Sequence, residues 1–146
     1  MDDKSPTDEN LRSIDLTRIG PLRYKATNGR GGVLPVGSGQ DPDFTPTELL
    51  LVALAGCGAI DVDLITGKRA TAEAFDVRAE GHKVRDESGN HMVGLTVTFD
   101  LRFPEGEAGD QAREVLPRAL EMTRDRLCTV GRTVALGEPV TYATRS

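Results

Sequence analysis

Tryptophan is absent, and aromatic residues make up only 4% of the 146-residue chain. Too few flat rings are present to build a base-stacking platform for single-stranded nucleic acid. Positive charge is also in deficit. Eighteen Lys and Arg stand against 23 Asp and Glu, a net charge of −5, which argues against a phosphate-backbone binder and mainly favours solubility. There are only two histidines, His82 and His91, and no CxxC or HExxH spacing, so neither a metal nor a bound cofactor is expected. Met1-Asp2-Asp3-Lys4-Ser5-Pro6 is polar, with no apolar stretch behind it, so no secretory signal is expected. The longest apolar run, from Leu49 to Ile60, is well short of the roughly 20 residues a bilayer crossing needs. A cytoplasmic protein without membrane or nucleic-acid partners is the expectation.

The length suits one domain. Residues 1–13 read as a flexible N-terminal tail and 14–146 as a single folded unit. Two cysteines remain to be explained. In a reducing compartment a structural disulfide is unusual, leaving redox work, metal binding or inert packing. Cys57 lies inside the apolar run, and Cys128 follows a helical pattern ending at Leu127. A thiol among small residues is ordinarily inert. A pair, one on a central helix and one at another helix's end, equally suits a peroxide-reactive cysteine and its resolving partner. Apolar surroundings keep a thiol protonated unless a cation stands beside it.

From Ile14 a loose alternation suits two strands turned at Gly20-Pro21, and Asn28-Gly29-Arg30-Gly31-Gly32 is a second turn. Val33–Val36 suits an edge strand, since it carries Pro35. Thr45 then fits a helix N-cap, with Pro46 in the first turn and Glu48 closing a capping box. The helix that follows is apolar all round, which predicts burial on most sides. Gly67-Lys68-Arg69 should end it. Alternation through Phe75, Val77 and Ala79, and from Val93 unbroken to Phe103, predicts a strand pair turned at residues 86–90. A second, amphipathic helix is expected from about Gly109 to Leu127, kinked or broken at Pro117. A last strand is expected at Val134–Leu136 or Val140–Tyr142. The whole reads as α+β. Asp61 stands one turn after Cys57 on the same helix face. A carboxylate there would hold the thiol protonated, so it is expected to face solvent or an arginine. His82 and His91 are expected at the surface. Arg124, Arg126 and Arg132 are candidate cations near Cys128, though basic residues at a helix end also suit its dipole.

The segment Pro46-Thr47-Glu48-Leu49-Leu50 leading to Cys57 resembles the OsmC/Ohr family, in which a Pro-x-Glu-Leu-Leu-like helix start precedes a central-helix cysteine. Cys57-Gly58-Ala59-Ile60-Asp61-Val62 is similar to the Cys-x-Ala-x-Asp-Val of its OsmC-like branch. Leu127-Cys128-Thr129-Val130-Gly131 resembles the second site, Cys-x-Val-Ser, and Arg30 in Asn28-Gly29-Arg30-Gly31 is similar to the Gly-Gly-Arg after the first strand. The likeness spans roughly residues 22–143. It implies an OsmC-like fold, antiparallel sheets packed around a long buried central helix and a second amphipathic helix. It further implies a homodimeric cysteine peroxidase reducing organic hydroperoxides, with its active site at the subunit interface. In that scheme Cys57 attacks, Cys128 resolves through an intramolecular disulfide, Arg30 and Glu48 hold the thiolate, and a dithiol such as a lipoyl-protein regenerates the pair. The sequence departs at one place. The better-understood branches set the glutamate ten residues before the cysteine; here that position is Thr47, and Glu48 is nine before. One residue turns a helical side chain by about 100°, so N-terminal capping is the competing role for Glu48. Two other classes stay open: a non-catalytic dimer binding a small apolar ligand, and a redox sensor.

Overall fold

The computed structural model describes residues 8–145. The chain divides into two compact units, Met1–Leu49 and Leu50–Ser146. Of the expected tail, residues 1–7 lie outside the described residues, as does Ser146; Asp8–Asn10 form one 3-10 turn.

The first unit is an antiparallel three-stranded sheet, β1 (Asp15–Gly20), β2 (Arg23–Thr27) and β3 (Val33–Val36), in that order. Both turns fall where the sequence places them. Asn28 closes the second by accepting the N–H groups of Arg30 and Gly32 on its side-chain oxygen, at 3.1 and 2.8 Å. As expected, β3 is an edge strand, so Pro35 deprives no neighbour of a donor. Arg23 pairs with Asp43 at 2.8 Å. Thr45 and Glu48 form the anticipated capping box: the Thr45 N–H donates to Glu48 Oε1 at 2.9 Å, and the Glu48 N–H to Thr45 Oγ1 at 3.2 Å.

Helix α1 (Pro46–Thr66) starts at that box and runs into the second unit. At 21 residues it exceeds the run apparent in the sequence and is long and apolar enough, by length and composition, to cross a bilayer. It is nevertheless buried along one stripe only, Leu54, Gly58, Val62 and Thr66, while Ile60 and Leu64 on the other side are 64% and 65% exposed. Burial on most sides is thus not met within one chain. The buried Thr66 hydroxyl donates to the Val62 carbonyl at 2.9 Å, which leaves no polar group stranded. Beyond the helix, Arg69 caps the Ile65 carbonyl.

Strands β4 (Ala74–Asp86) and β5 (Gly89–Arg102) form a long antiparallel hairpin. Val77 faces Phe99 across the ladder and Ala79 faces Val97. The alternation is broken, not continuous to Val93. A bulge between Glu80 and His82, with Gly94 opposite at φ +63°, adds a step, so Met92 turns inward and Val93 outward. His82 and His91 are exposed, as expected.

Helix α2 (Glu107–Met122) runs unbroken through Pro117. Proline removes the N–H that the Arg113 carbonyl would take, but both residues lie on the exposed side, where water can serve that carbonyl. The helical pattern then ends differently from the sequence expectation. A single π turn, Thr123–Leu127, follows α2, and a short helix α3 (Thr129–Leu136) replaces the predicted last strand. Val140–Tyr142 has no regular structure. Short apolar runs do not distinguish strand from helix. Here Cys128 provides the N-cap and Gly137, in the left-handed region, the stop.

Candidate functional site

The site is built wholly within the second unit. Residue 57 lies in the middle of α1, one position before Gly58, and residue 61 is one turn further on. From the other direction the π turn ends at Cys128, whose N–H donates to the Thr123 carbonyl at 3.0 Å. Turns of this kind recur at functional positions because one extra residue swings the following side chain out of the helical series. Cys128 then adopts extended backbone angles, φ −73° and ψ 101°, and caps α3. Its sulfur accepts the Gly131 N–H at 3.2 Å.

The two elements bring three ligand-type atoms together. Sγ of Cys57, a carboxylate oxygen of Asp61 and Sγ of Cys128 lie within 4.8 Å of one another. Both thiols are reduced. Cys57 is half-buried and Cys128 is only 5% exposed. Burial pushes the Cys128 thiol above its ordinary range, and the neighbouring Cys57 side chain adds to the rise, while the Gly131 N–H pulls the other way. Asp61 corrects the expectation that it faces solvent or an arginine: the Thr123 hydroxyl donates to its Oδ2 at 2.9 Å, directly beside the sulfurs. Among the described residues no arginine bonds it. Arg124, a candidate cation, is instead paired with Asp125 at 2.7 Å, and this guanidinium holds the Asp125 carboxyl below the usual range.

A cavity of about 540 Å³ opens at Cys128, walled by Leu54, Val97, Phe99, Leu120 and Val134, with Arg124 and Glu121 at its polar edge. It is large enough for a small apolar molecule.

A family model described as OsmC-like protein matches residues 37–143. The chain belongs to the OsmC-like family. An uncharacterized protein of Mycobacterium tuberculosis is 33% identical over 133 residues, covering 89% of this chain and 93% of its own. Among solved structures, a hypothetical protein from Aquifex aeolicus VF5 superposes with a TM-score of 0.69 at 18% identity, over 86% of this chain and 88% of that one. An OsmC-like protein of unknown function from Vibrio cholerae gives 0.64 at 14% identity, over 83% and 91%. These two likenesses concern the fold alone.

In this OsmC-like chain the remaining two expected site residues belong to the first unit. Arg30 is exposed in the β2–β3 turn, and among the described residues its guanidinium has no hydrogen-bond or ion-pair partner. Glu48 has one carboxylate oxygen committed to the Thr45 cap. The parts of the site that sequence reasoning missed are Thr123, which lies in the stretch expected only to continue the second helix, and Gly131, whose amide matters only because Cys128 starts a helix.

Proposed function

We propose that the protein is a cysteine peroxidase of organic hydroperoxides working through Cys57 and Cys128. The observation that carries the reading is the approach of the two sulfurs to within 4.8 Å in an OsmC-like chain. The more accessible Cys57, as thiolate, attacks the distal peroxide oxygen. A sulfur–oxygen bond forms, the oxygen–oxygen bond breaks, and the departing alkoxide takes a proton to become an alcohol. The Cys128 sulfur then attacks the Cys57 sulfenic acid, a disulfide forms, and water leaves. Closing it requires the sulfurs to move to about 2.05 Å. A dithiol, such as a lipoyl-protein in the cytoplasm, returns both cysteines to thiols. Arg30 and Glu48 are assigned the cation and the carboxylate of the thiolate site, as the family resemblance implies; Glu48 stands about 13.5 Å along the helix from Cys57 within one chain, so both are proposed to act across the subunit interface. The apolar cavity suits the alkyl part of the substrate. The test is a stopped-flow assay with cumene hydroperoxide and hydrogen peroxide in parallel and dihydrolipoamide as reductant. Multiple turnovers, faster with the organic peroxide, are expected. Absence of turnover with both thiols retained overturns the reading in favour of a small-ligand-binding dimer, for which the cavity at Cys128 is the supporting feature; a single stoichiometric oxidation overturns it in favour of a redox sensor.

The working unit is proposed to be a homodimer with its active site at the subunit interface. Support comes from apolar surface left bare by the chain: Ile60 and Leu64 on α1, and Leu16 and Val33 on the first sheet, are all more than half exposed. A second copy is the proposed occupant of each. Sedimentation of the wild type is expected to give twice the chain mass, and the Ile60→Glu, Leu64→Glu double variant to sediment as a monomer. A monomeric wild type at micromolar concentration would rule out this assembly.

A further inference from the structure

We infer that the reduced Cys57–Asp61–Cys128 cluster is a binding site for one thiophilic divalent cation, Zn²⁺ by chemistry, held by two thiolates and one carboxylate with a fourth position open. The inference stands on the geometry of the cluster and is independent of the hydroperoxide reading. Three atoms of the right kind already lie within 4.8 Å of one another. A tetrahedral zinc with bonds of about 2.3 Å to sulfur and 2.0 Å to oxygen sets its ligand atoms roughly 3.5–3.8 Å apart. The cluster therefore has to contract by about 1 Å, within reach of side-chain adjustment alone.

Outer contacts already orient two of the three ligands. The Thr123 hydroxyl donates to Asp61 Oδ2, fixing the carboxylate. The Gly131 N–H donates to Cys128 Sγ and supports negative charge there. Such partners usually steer ligands in metal sites. No basic side chain among the described residues neutralises Asp61, so its charge is available to a cation. Two sulfurs select a soft or borderline ion; Mg²⁺ and Ca²⁺ prefer all-oxygen shells. Binding replaces two thiol protons by the metal, releasing two protons per ion, with no change of oxidation state. A Cys57–Cys128 disulfide would consume the same sulfurs, so metal occupancy and thiol oxidation exclude one another. The ligands come from one helical turn and a distant helix start, and no CxxC-type spacing announces them.

The full-length chain, reduced and stripped with a chelator, should be titrated with Co²⁺ as a spectroscopic probe and with Zn²⁺ against a chromophoric chelator. Expected are a near-ultraviolet thiolate-to-cobalt band that saturates at one equivalent, displacement by Zn²⁺, and none by Mg²⁺ in large excess. Asp61→Asn, which keeps the side chain's shape, should weaken Zn²⁺ binding at least about tenfold. The Cys57→Ser, Cys128→Ser double variant should abolish the band, and diamide oxidation should do the same until a phosphine reductant is added. Far-UV circular dichroism establishes that each variant is folded, and the diamide arm needs no substitution at all. No band at one equivalent, unchanged affinity in folded Asp61→Asn, or equal binding after oxidation would each overturn the assignment.

Discussion

The Cys57→Ser protein is expected to consume no organic hydroperoxide, and the Cys128→Ser protein to consume one equivalent rapidly and then stall to slow turnover. The first follows because the chemistry needs a polarisable, ionisable sulfur that can be oxidised; a serine hydroxyl is neither nucleophilic enough at neutral pH nor oxidisable by peroxide. Cys128 cannot substitute, since it is 5% exposed and its burial opposes ionisation. The second follows from the short separation of the sulfurs. With both thiols present, the sulfenic acid on Cys57 meets an attacking sulfur held beside it, and such an intramolecular step outpaces attack from solution by orders of magnitude. With serine at 128, a soluble dithiol has to reach a half-buried sulfur, and steady-state turnover should fall at least about a hundredfold. Stopped-flow consumption of cumene hydroperoxide measures both effects, and dimedone trapping with mass spectrometry should find the adduct on Cys57 only in the Cys128→Ser protein. Wild-type turnover by Cys57→Ser would end the mechanism. Wild-type turnover by Cys128→Ser would leave Cys57 as the attacking thiol but remove Cys128 from the cycle.

Much of the framework is legible in the residues because local chemistry sets it. Thr45-Pro46-Thr47-Glu48 carries its own start signal, and the structure bonds it as a capping box. Gly20-Pro21 and the Asn28–Gly32 segment are plain turn signals between strands whose own alternation is loose. Two of the failures share one cause: a local pattern overridden by an insertion of one residue. Val93 fits the alternation of β5 but falls outside it, because the Gly94 bulge shifts the phase. Thr123–Leu127 fits the helical stripe of α2, yet the chain widens there to a π turn, and the step places Cys128 at the start of a new helix. Val134–Leu136 reads equally as strand or helix, and the cap at Cys128 decides for the helix. At the site, the two cysteines are visible as residue types; their approach is not, since 71 positions separate 57 from 128. Asp61 was legible as a neighbour of Cys57 through the i+4 rule, but its partner Thr123 lies 62 positions away.

Gly58→Val is expected to destabilise the protein by about 2 kcal/mol and to slow disulfide closure about a hundredfold, while Gly58→Ala stays within about 1 kcal/mol of wild type. Gly58 is buried on α1 beside Cys57, and a Cβ there would stand 3.2 Å from Phe99 Cζ and 3.8 Å from Thr123 Cγ2. Alanine gains helix propensity of about 1 kcal/mol over glycine, and a small displacement of the Phe99 ring offsets part of that gain. Valine adds two branches on the same carbon and can only be fitted by driving Phe99 or Thr123 back. Phe99 is braced edge-on against Phe75, with centroids 6.4 Å apart, so it resists. Thr123 is the member that yields, and it does two things for the site: its hydroxyl holds Asp61, and its carbonyl receives the Cys128 N–H that closes the π turn. Moving it displaces Cys128 relative to Cys57, and a misplacement near 1 Å is enough to cost about two orders of magnitude in a proximity-driven step. Chemical denaturation gives the stability change, and the lifetime of the trapped sulfenic acid after a peroxide pulse gives the rate of closure. The peroxide-attack step itself should change less, since it does not require Cys128. A Gly58→Val protein with wild-type stability and wild-type closure would mean that contact between α1 and the π turn does not position the two sulfurs.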